Sequence, residues 1–212
     1  MKFKDMVIED FLKNIDSITP TPGGGSASAI TIAIGISLIR MVSHITSSKK
    51  KFLLLEENER NEYLRITENL ANLKKEALDL ADADSNAYMS LLAAFRLPKI
   101  NKQEEMSRKA AIIDATIGAA EVPYKIAELS YNALKLTNKL YHLALKSAVS
   151  DIGVGVLLLK AGFLGAIMNV EINMSGFEKE DIANKYINKV QTLKTKFLSI
   201  SNNIMDFVNK QI

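Results

Sequence analysis

Residues 63–94 read YLRITENLANLKKEALDLADADSNAYMSLLAA. Along this stretch Tyr63, Ile66, Leu70, Leu73, Ala77, Leu80, position 84, Ala87, Leu91 and Ala94 recur at alternating spacings of three and four. A strand cannot produce that spacing, because its side chains change face at every residue, whereas a helix gathers such positions into one heptad stripe. The pattern predicts a single long helix between Leu53 and Leu97, ended by Pro98, which lacks the N–H a helix interior needs. One member of the stripe is not apolar: position 84 is an aspartate.

Similar stripes flank this one. Met106, Ala110, Ile113, Ile117, Ala120, Tyr124, Ala127, Tyr131 and Leu134 mark the inner face of a second long helix from about Gln103 to Leu136, with Pro123 inside it as an expected kink. A helical region is expected from about Asn138 to Asn173, closely packed or interrupted at Gly153, Gly155, Gly162 and Gly165 and stopped by Ser175-Gly176. A last helix runs from Glu178 to about Asn209, and a short amphipathic one carries Phe3, Val7, Phe11 and Ile15. Residues 30–36 are ambiguous. Ile30, Ile32, Ile34 and Ile36 alternate as in a strand, but the run has no turn signal, which favours a helix buried on all sides. The expected architecture is all-α, a long-helix bundle formed by one domain over residues 1–212.

Between the first two helices stands Thr19-Pro-Thr-Pro22-Gly23-Gly24-Gly25-Ser26. Glycine lets a backbone approach another group closely, and Ser26 is a candidate N-cap for the helix that follows. Free N–H groups at such a start attract an anion or a developing oxyanion. The Gly-Lys-Ser/Thr ending of a nucleotide P-loop is missing, as is a Gly-x-Gly-x-x-Gly fingerprint.

Composition narrows the function. The chain has 27 basic and 24 acidic residues, too even a balance for general nucleic-acid binding. It has no cysteine, hence no disulfide or thiolate metal site, in keeping with a reducing cytoplasm, and its two histidines, His44 and His142, are too few for a histidine-rich metal centre. The N-terminus lacks the apolar run of a signal peptide. Residues 17–39 carry no charge, yet include Thr, Ser, Pro and Gly, so they read as a core helix rather than a membrane span.

Few residues are left to carry chemistry. Apolar neighbours would desolvate Asp84 and raise its pKa, which suits a general acid; alternatively the residue turns to the rim or fixes helix register. Asp82 points off the stripe, toward solvent. Asp151 is the one charge between Lys146 and Lys160; it is either an N-cap, with Ser150, or a buried acid. Asn169 and Asn173, four apart in an apolar context, share a helix face and need partners, either a neighbouring backbone or the amide-like edge of a heterocycle. Lys49, Lys50 and Lys51 form a basic run that is either a solvated face or a seat for a carboxylate-bearing tail.

Taken in order, these pieces resemble the formiminotetrahydrofolate cyclodeaminase family, which includes the C-terminal domain of formiminotransferase-cyclodeaminase and stand-alone methenyltetrahydrofolate cyclohydrolases. The resemblance runs through Pro20 to Ser26, Met41 to Thr46 and the lysines after it, Asp82-Ala-Asp84-Ser-Asn-Ala-Tyr88, Leu97-Pro98-Lys99, Val122-Pro123, Ser150-Asp151 and Gly165 to Asn173. It implies a homodimer, for which the heptad stripe of residues 63–94 is a second motive, with a small-molecule folate substrate and no metal or nucleotide cofactor; nucleic acid and membrane are already set aside by the charge balance and by the reading of residues 17–39. Chemistry would be at the one-carbon bridge between N5 and N10 of tetrahydrofolate. The family's catalytic aspartate falls on Asp82 or Asp84, and the stripe selects Asp84. Asp151 is the second catalytic candidate, with Pro22, Gly23, Gly24, Gly25, Ser26, Lys49, Lys50, Asn169 and Asn173 for binding. The family's Gly-Asn before Ser-Asp is here Ala144-Leu145. The main expectation is a cyclodeaminase that releases ammonia from 5-formiminotetrahydrofolate. The alternatives are a cyclohydrolase and a non-catalytic folate-binding dimer.

Overall fold

The computed structural model describes residues 2–212, and among them there is no strand. After a 3-10 turn at Phe3–Asp5 the helices are α1 (Ile8–Ile15), α2 (Gly24–Ser47), α3 (Lys50–Leu53), α4 (Glu57–Phe95), α5 (Lys102–Leu140), α6 (Val149–Met174) and α7 (Glu180–Gln211). The long heptad helix, its partner after Pro98 and the C-terminal helix appear where the periodicity puts them. Residues 30–36 are helical, but the helix is not buried on all sides: Ile32 and Ile36 are buried against α4, α5 and α6, while Ile34 is 51% exposed, because these helices cover only part of its surface. The reading of residues 138–173 as one helical region needs correction. Two 3-10 turns, Tyr141–Leu143 and Lys146–Ala148, separate α5 from α6.

The centre of the fold is the antiparallel pair α2 and α6. A Cβ on Gly35 would lie 2.8 Å from the Gly155 carbonyl oxygen, and one on Gly155 2.7 Å from Ile39 Cγ1. Only glycine allows the two backbones to come this close. Around the pair, α4 attaches through Arg40 Nε, which donates to the Thr67 carbonyl at 3.0 Å. Ser130 on α5 donates to the Leu159 carbonyl of α6 at 2.9 Å. Phe163 stacks on Phe197 of α7 with centroids 4.0 Å apart.

The heptad stripe of α4 is turned inward. Tyr63, Ile66, Leu70 and Ala77 are buried within the chain, and α4 packs on α2 and α5. The stripe is therefore filled by the chain's own helices and is not a coiled-coil seam for a second copy.

Helix α5 continues through Pro123. Proline cannot donate to the carbonyl four residues back, which leaves the Ala119 oxygen without its helical partner. Asn173 on α6 takes that place, its Nδ2 donating to Ala119 O at 2.7 Å. The two residues are thus energetically coupled. Losing a buried hydrogen bond while its acceptor stays buried costs about 1–3 kcal/mol. We expect Asn173→Ala to destabilise by that amount in the parent chain. In a Pro123→Ala background, where the substituted residue supplies its own N–H, the cost should fall by half or more in a urea-unfolding double-mutant cycle. Equal costs in both backgrounds would contradict the coupling.

Candidate functional site

Pro22 is buried, and Gly23, in extended conformation, is the N-cap of α2. Ser26, the candidate cap, instead lies in the helix's first turn, fully buried. The helix starts on glycines because two other helices press on it there. A Cβ on Gly25 would fall inside the Asp84 carboxyl group of α4, and one on Gly24 would lie 3.1 Å from Asn169 Nδ2 of α6. Gly24, Gly25, Ser26, Asp84 and Asn169 thus meet at one end of the bundle.

Ser26 Oγ lies 2.7 Å from the Ala81 carbonyl oxygen, 3.1 Å from Asp84 Oδ2 and 3.1 Å from Ser85 Oγ. The hydroxyl has one proton to donate. When it is given to Ala81, Ser26 meets Asp84 with a lone pair, and the contact is satisfied by a protonated carboxyl. Burial pushes the Asp84 carboxyl above its ordinary range, and the Ser26 hydroxyl and backbone N–H pull it partly back. The result is a carboxyl that holds a proton more tightly than a solvated aspartate and stands at the first turn of a helix, where backbone N–H groups face outward from the helix end. The arrangement can give and take a proton next to a group that develops negative charge.

Asp82 does not stand in solvent. Its Oδ1 accepts from the Phe3 backbone N–H at 2.8 Å, so it ties the N-terminal segment to α4, and Lys4 pairs with Asp79 at 2.7 Å beside it. Ser85 is a site residue that the sequence reading misses; its position beside Asp84 is the available signal. Asn169 donates to the Gly165 carbonyl at 2.8 Å. Both asparagines therefore use their N–H groups on backbone, and each keeps its carbonyl oxygen as an acceptor. Asn173 also lines a cleft of about 530 Å³ with Leu91, Phe95, Arg108, Ile112 and Ile172. That cleft begins one helical turn from Asn169.

The remaining candidates are elsewhere. Asp151 is in the first turn of α6, where an acid complements the helix dipole; the N-cap is Ala148, not Ser150 or Asp151. Eighteen residues of helix, about 27 Å, separate it from Asn169. Lys49 and Lys51 lie past the far end of α2, about 36 Å from Gly24 along a helix of that length. There they line a second hollow of about 270 Å³ with His142, Ala144, Leu145 and Lys146. Lys50 begins α3 and is exposed. The Ala144-Leu145 pair thus belongs to the lysine end, not to the Asp84 end.

Residues 7–192 match the Formiminotransferase-cyclodeaminase family. The chain is 28% identical to a methenyltetrahydrofolate cyclohydrolase of Methylorubrum extorquens over 97% of both chains. It is 28% identical to the mouse formimidoyltransferase-cyclodeaminase over 89% of its own length and 34% of the mouse protein. With the chicken protein of that name the identity is 31%, over 80% of this chain and 31% of the other. The fold matches the crystal structure of a formiminotetrahydrofolate cyclodeaminase from Thermotoga maritima with a TM-score of 0.85, at 21% identity and 98% coverage of both chains. A helical chain that sets Asp84 and Asn169 against a triple-glycine helix start, and that matches over residues 7–192, belongs to the formiminotransferase-cyclodeaminase family of folate one-carbon enzymes.

Proposed function

We propose that the chain is a formiminotetrahydrofolate cyclodeaminase with Asp84 as its proton shuttle. The observation that carries this reading is the Asp84 carboxyl seated on Gly25, desolvated and held by Ser26. In the reaction N10 of the folate attacks the carbon of the formimino group, whose imino nitrogen is protonated. The Asp84 carboxyl gives its proton to the amine nitrogen of the tetrahedral carbon, and its carboxylate takes the proton shed by N10. The C–N bond then breaks, and ammonia and the methenyl bridge result. The Asn169 carbonyl oxygen is an acceptor for an N–H of the pterin edge. The neighbouring cleft, apolar at Leu91, Phe95 and Ile112, is of a size to take a drug-sized molecule.

A second reading is favoured by the match to the Methylorubrum cyclohydrolase over 97% of both chains. Here water adds to the methenyl carbon, Asp84 carries one of its protons to N5 as the C–N5 bond breaks, and the other leaves to solvent. The absorbance of the methenyl compound separates the two. It should grow from the formimino substrate if the first reading holds, and decay from the methenyl substrate, faster than without enzyme, if the second does.

The role of Asp84 is tested by Asp84→Asn, which keeps size and polarity but has no acidic proton. General acid–base catalysis contributes roughly 10²–10⁴-fold, and we expect kcat to fall by about that much while the substrate's KM changes little. Asp82→Asn should cost far less activity. Near-parental turnover by Asp84→Asn would remove Asp84 from the mechanism.

Stability should carry the same signature. A carboxyl whose folded pKa is raised favours the native state at low pH, and that contribution is lost as pH rises through the folded value. Asp84→Asn should therefore raise Tm at neutral pH. The gain should vanish below the ordinary aspartate value of 3.8, as read from thermal melts across pH. A pH-independent difference would show that the carboxyl titrates as an ordinary aspartate.

Gly25→Ala offers a third check. Its methyl would displace the Asp84 carboxyl, and we expect activity to fall to the level of Asp84→Asn. Full activity would mean that the contact has no part in the chemistry.

A further inference from the structure

Several hydroxyls on α2 are consumed by their own helix. Ser28, Thr31, Ser37 and Ser43 each donate to the carbonyl four residues back, at 2.7, 2.8, 2.8 and 3.1 Å. A hydroxyl bonded in this way has no proton left for another group. Ser26 is different. The residue four before it, Pro22, lies outside the helix, and Ser26 Oγ reaches three oxygens of α4 instead: the Ala81 carbonyl, Asp84 Oδ2 and Ser85 Oγ. Ser85 likewise forgoes the bond to its own helix that Thr67 and Ser90 make in α4. Among the described residues its Oγ meets Ser26 alone. Both serines are buried, at 0% and 7% exposure.

The protons and lone pairs allow two arrangements. A carbonyl and a carboxylate only accept, so the single Ser26 proton goes to one of them at a time. With that proton on the Ala81 carbonyl, the Ser26 oxygen accepts from a protonated Asp84 Oδ2 and from Ser85. With it on Asp84 Oδ2, that oxygen must be bare, and any acid proton is on Oδ1, which has no side-chain partner among the described residues. Ser85 donates to Ser26 in both arrangements. The Ala81 carbonyl loses little when Ser26 turns away, because it keeps its bond within α4. Passing from one to the other takes a rotation within the Ser26 side chain and moves no helix.

No charge competes with this pair for the carboxyl. Helix α2 carries none before Arg40. Lys4 of the N-terminal turn is paired with Asp79, Asp82 with the Phe3 N–H, and Glu171 of α6 with Gln191. Asp114 of α5 and Tyr88 of α4 are exposed. Burial and Ser26 alone shift the proton affinity of Asp84.

We propose that the Ser26 hydroxyl is a two-position switch for Asp84 and that Ser85 steadies it in both positions, which makes the two serines positioning residues of the site. The use of the switch rests on the folate reading above. Turned to Ala81, Ser26 takes up the carboxyl proton and keeps the acid closed. Turned to Asp84, it leaves the proton on Oδ1, where the amine nitrogen of the tetrahedral carbon can take it, and holds the carboxylate that remains. The proton shed by N10 then returns to Oδ1.

The titration of Asp84 tests this without any turnover. Carboxyl-carbon NMR of protein labelled at aspartate follows each carboxyl with pH, and Asp84→Asn identifies the signal. A hydrogen bond to a charged group is stronger than one to a neutral group. Ser26→Ala removes both, so it should move the Asp84 titration upward. Ser85→Ala should move it upward by less, and Ser85→Thr, which keeps the hydroxyl, should return the parent curve. Because Ser85 acts through Ser26, its substitution should add nothing in a Ser26→Ala background. An unmoved Asp84 curve in folded Ser26→Ala would mean that the serines only pin α2 to α4. Equal shifts from Ser85→Ala in both backgrounds would remove the route through Ser26. Where Ser26→Ala does not fold, Ser85→Ala decides alone, and a curve matching those of Ser85→Thr and the parent overturns the proposal.

Turnover gives the second readout. Ser26→Ala should lower kcat about tenfold, the worth of one ordinary hydrogen bond, with KM little changed. The limb of the pH profile that reports Asp84 should move up with the titration. A limb that stays in place would overturn the part of the switch in catalysis. Shifted titrations with no turnover of either folate by the parent protein would overturn the folate reading and leave the serine switch standing.

Discussion

Everything in this molecule is arranged around the depth to which α2 and α6 approach each other. Gly35 and Gly155 remove the side chains that would hold the helices at an ordinary distance, and each would drive a Cβ into the opposing helix. Overpacking of this kind costs typically about 1–3 kcal/mol per site. The close approach also fixes the register. Because Gly35 meets Gly155, Gly24 meets Asn169 at one end, and the last turn of α2 meets the start of α6 at the other. The helices α4, α5 and α7 then close on a pair whose alignment is already set.

In the proposed mechanism the residue that would serve the chemistry is also the one that works against stability. The heptad stripe of α4 would pack better with an apolar residue at position 84, and the chain places an acid there. Burying that acid disfavours its charged form, and Ser26 relieves only part of the penalty. A position that breaks the local pattern and is then supported by a serine and a glycine is the kind of exception expected at a functional site. Asn173 shows the opposite case. It also breaks an apolar pattern, but its amide repairs the hydrogen bond that Pro123 removes from α5, so its first duty is structural.

How far the sequence can be read follows from which interactions are local. The long helices are legible because their stripes repeat every heptad, and Asp84 stands out as the one interruption. Residues 30–36 are ambiguous because a helix enclosed on several sides loses its amphipathic signature. Residues 141–148 read as helix because apolar residues continue there, while the two 3-10 turns depend on contacts with the core. Asp82 looks solvated because its partner, the Phe3 backbone, is 79 residues away. The candidate binding residues form one set in the sequence, yet the fold sends Lys49 and Lys50 to the opposite end from Gly24, Asp84 and Asn169. No spacing rule carries that information, since it follows from α2 being a single uninterrupted helix.

That separation follows from the rigidity of the helix pair. A rigid helix pair is well suited to holding an acid at a fixed depth, because neither backbone nor register can shift without displacing the glycine contact. The same rigidity prevents the lysine end from bending back toward the acid. A loop could bridge the distance only by giving up that precision. The depth of Asp84 is therefore fixed by the packing of α2 against α4 and α6, while Lys49 and Lys51 belong to a separate hollow at the other end of the same helix.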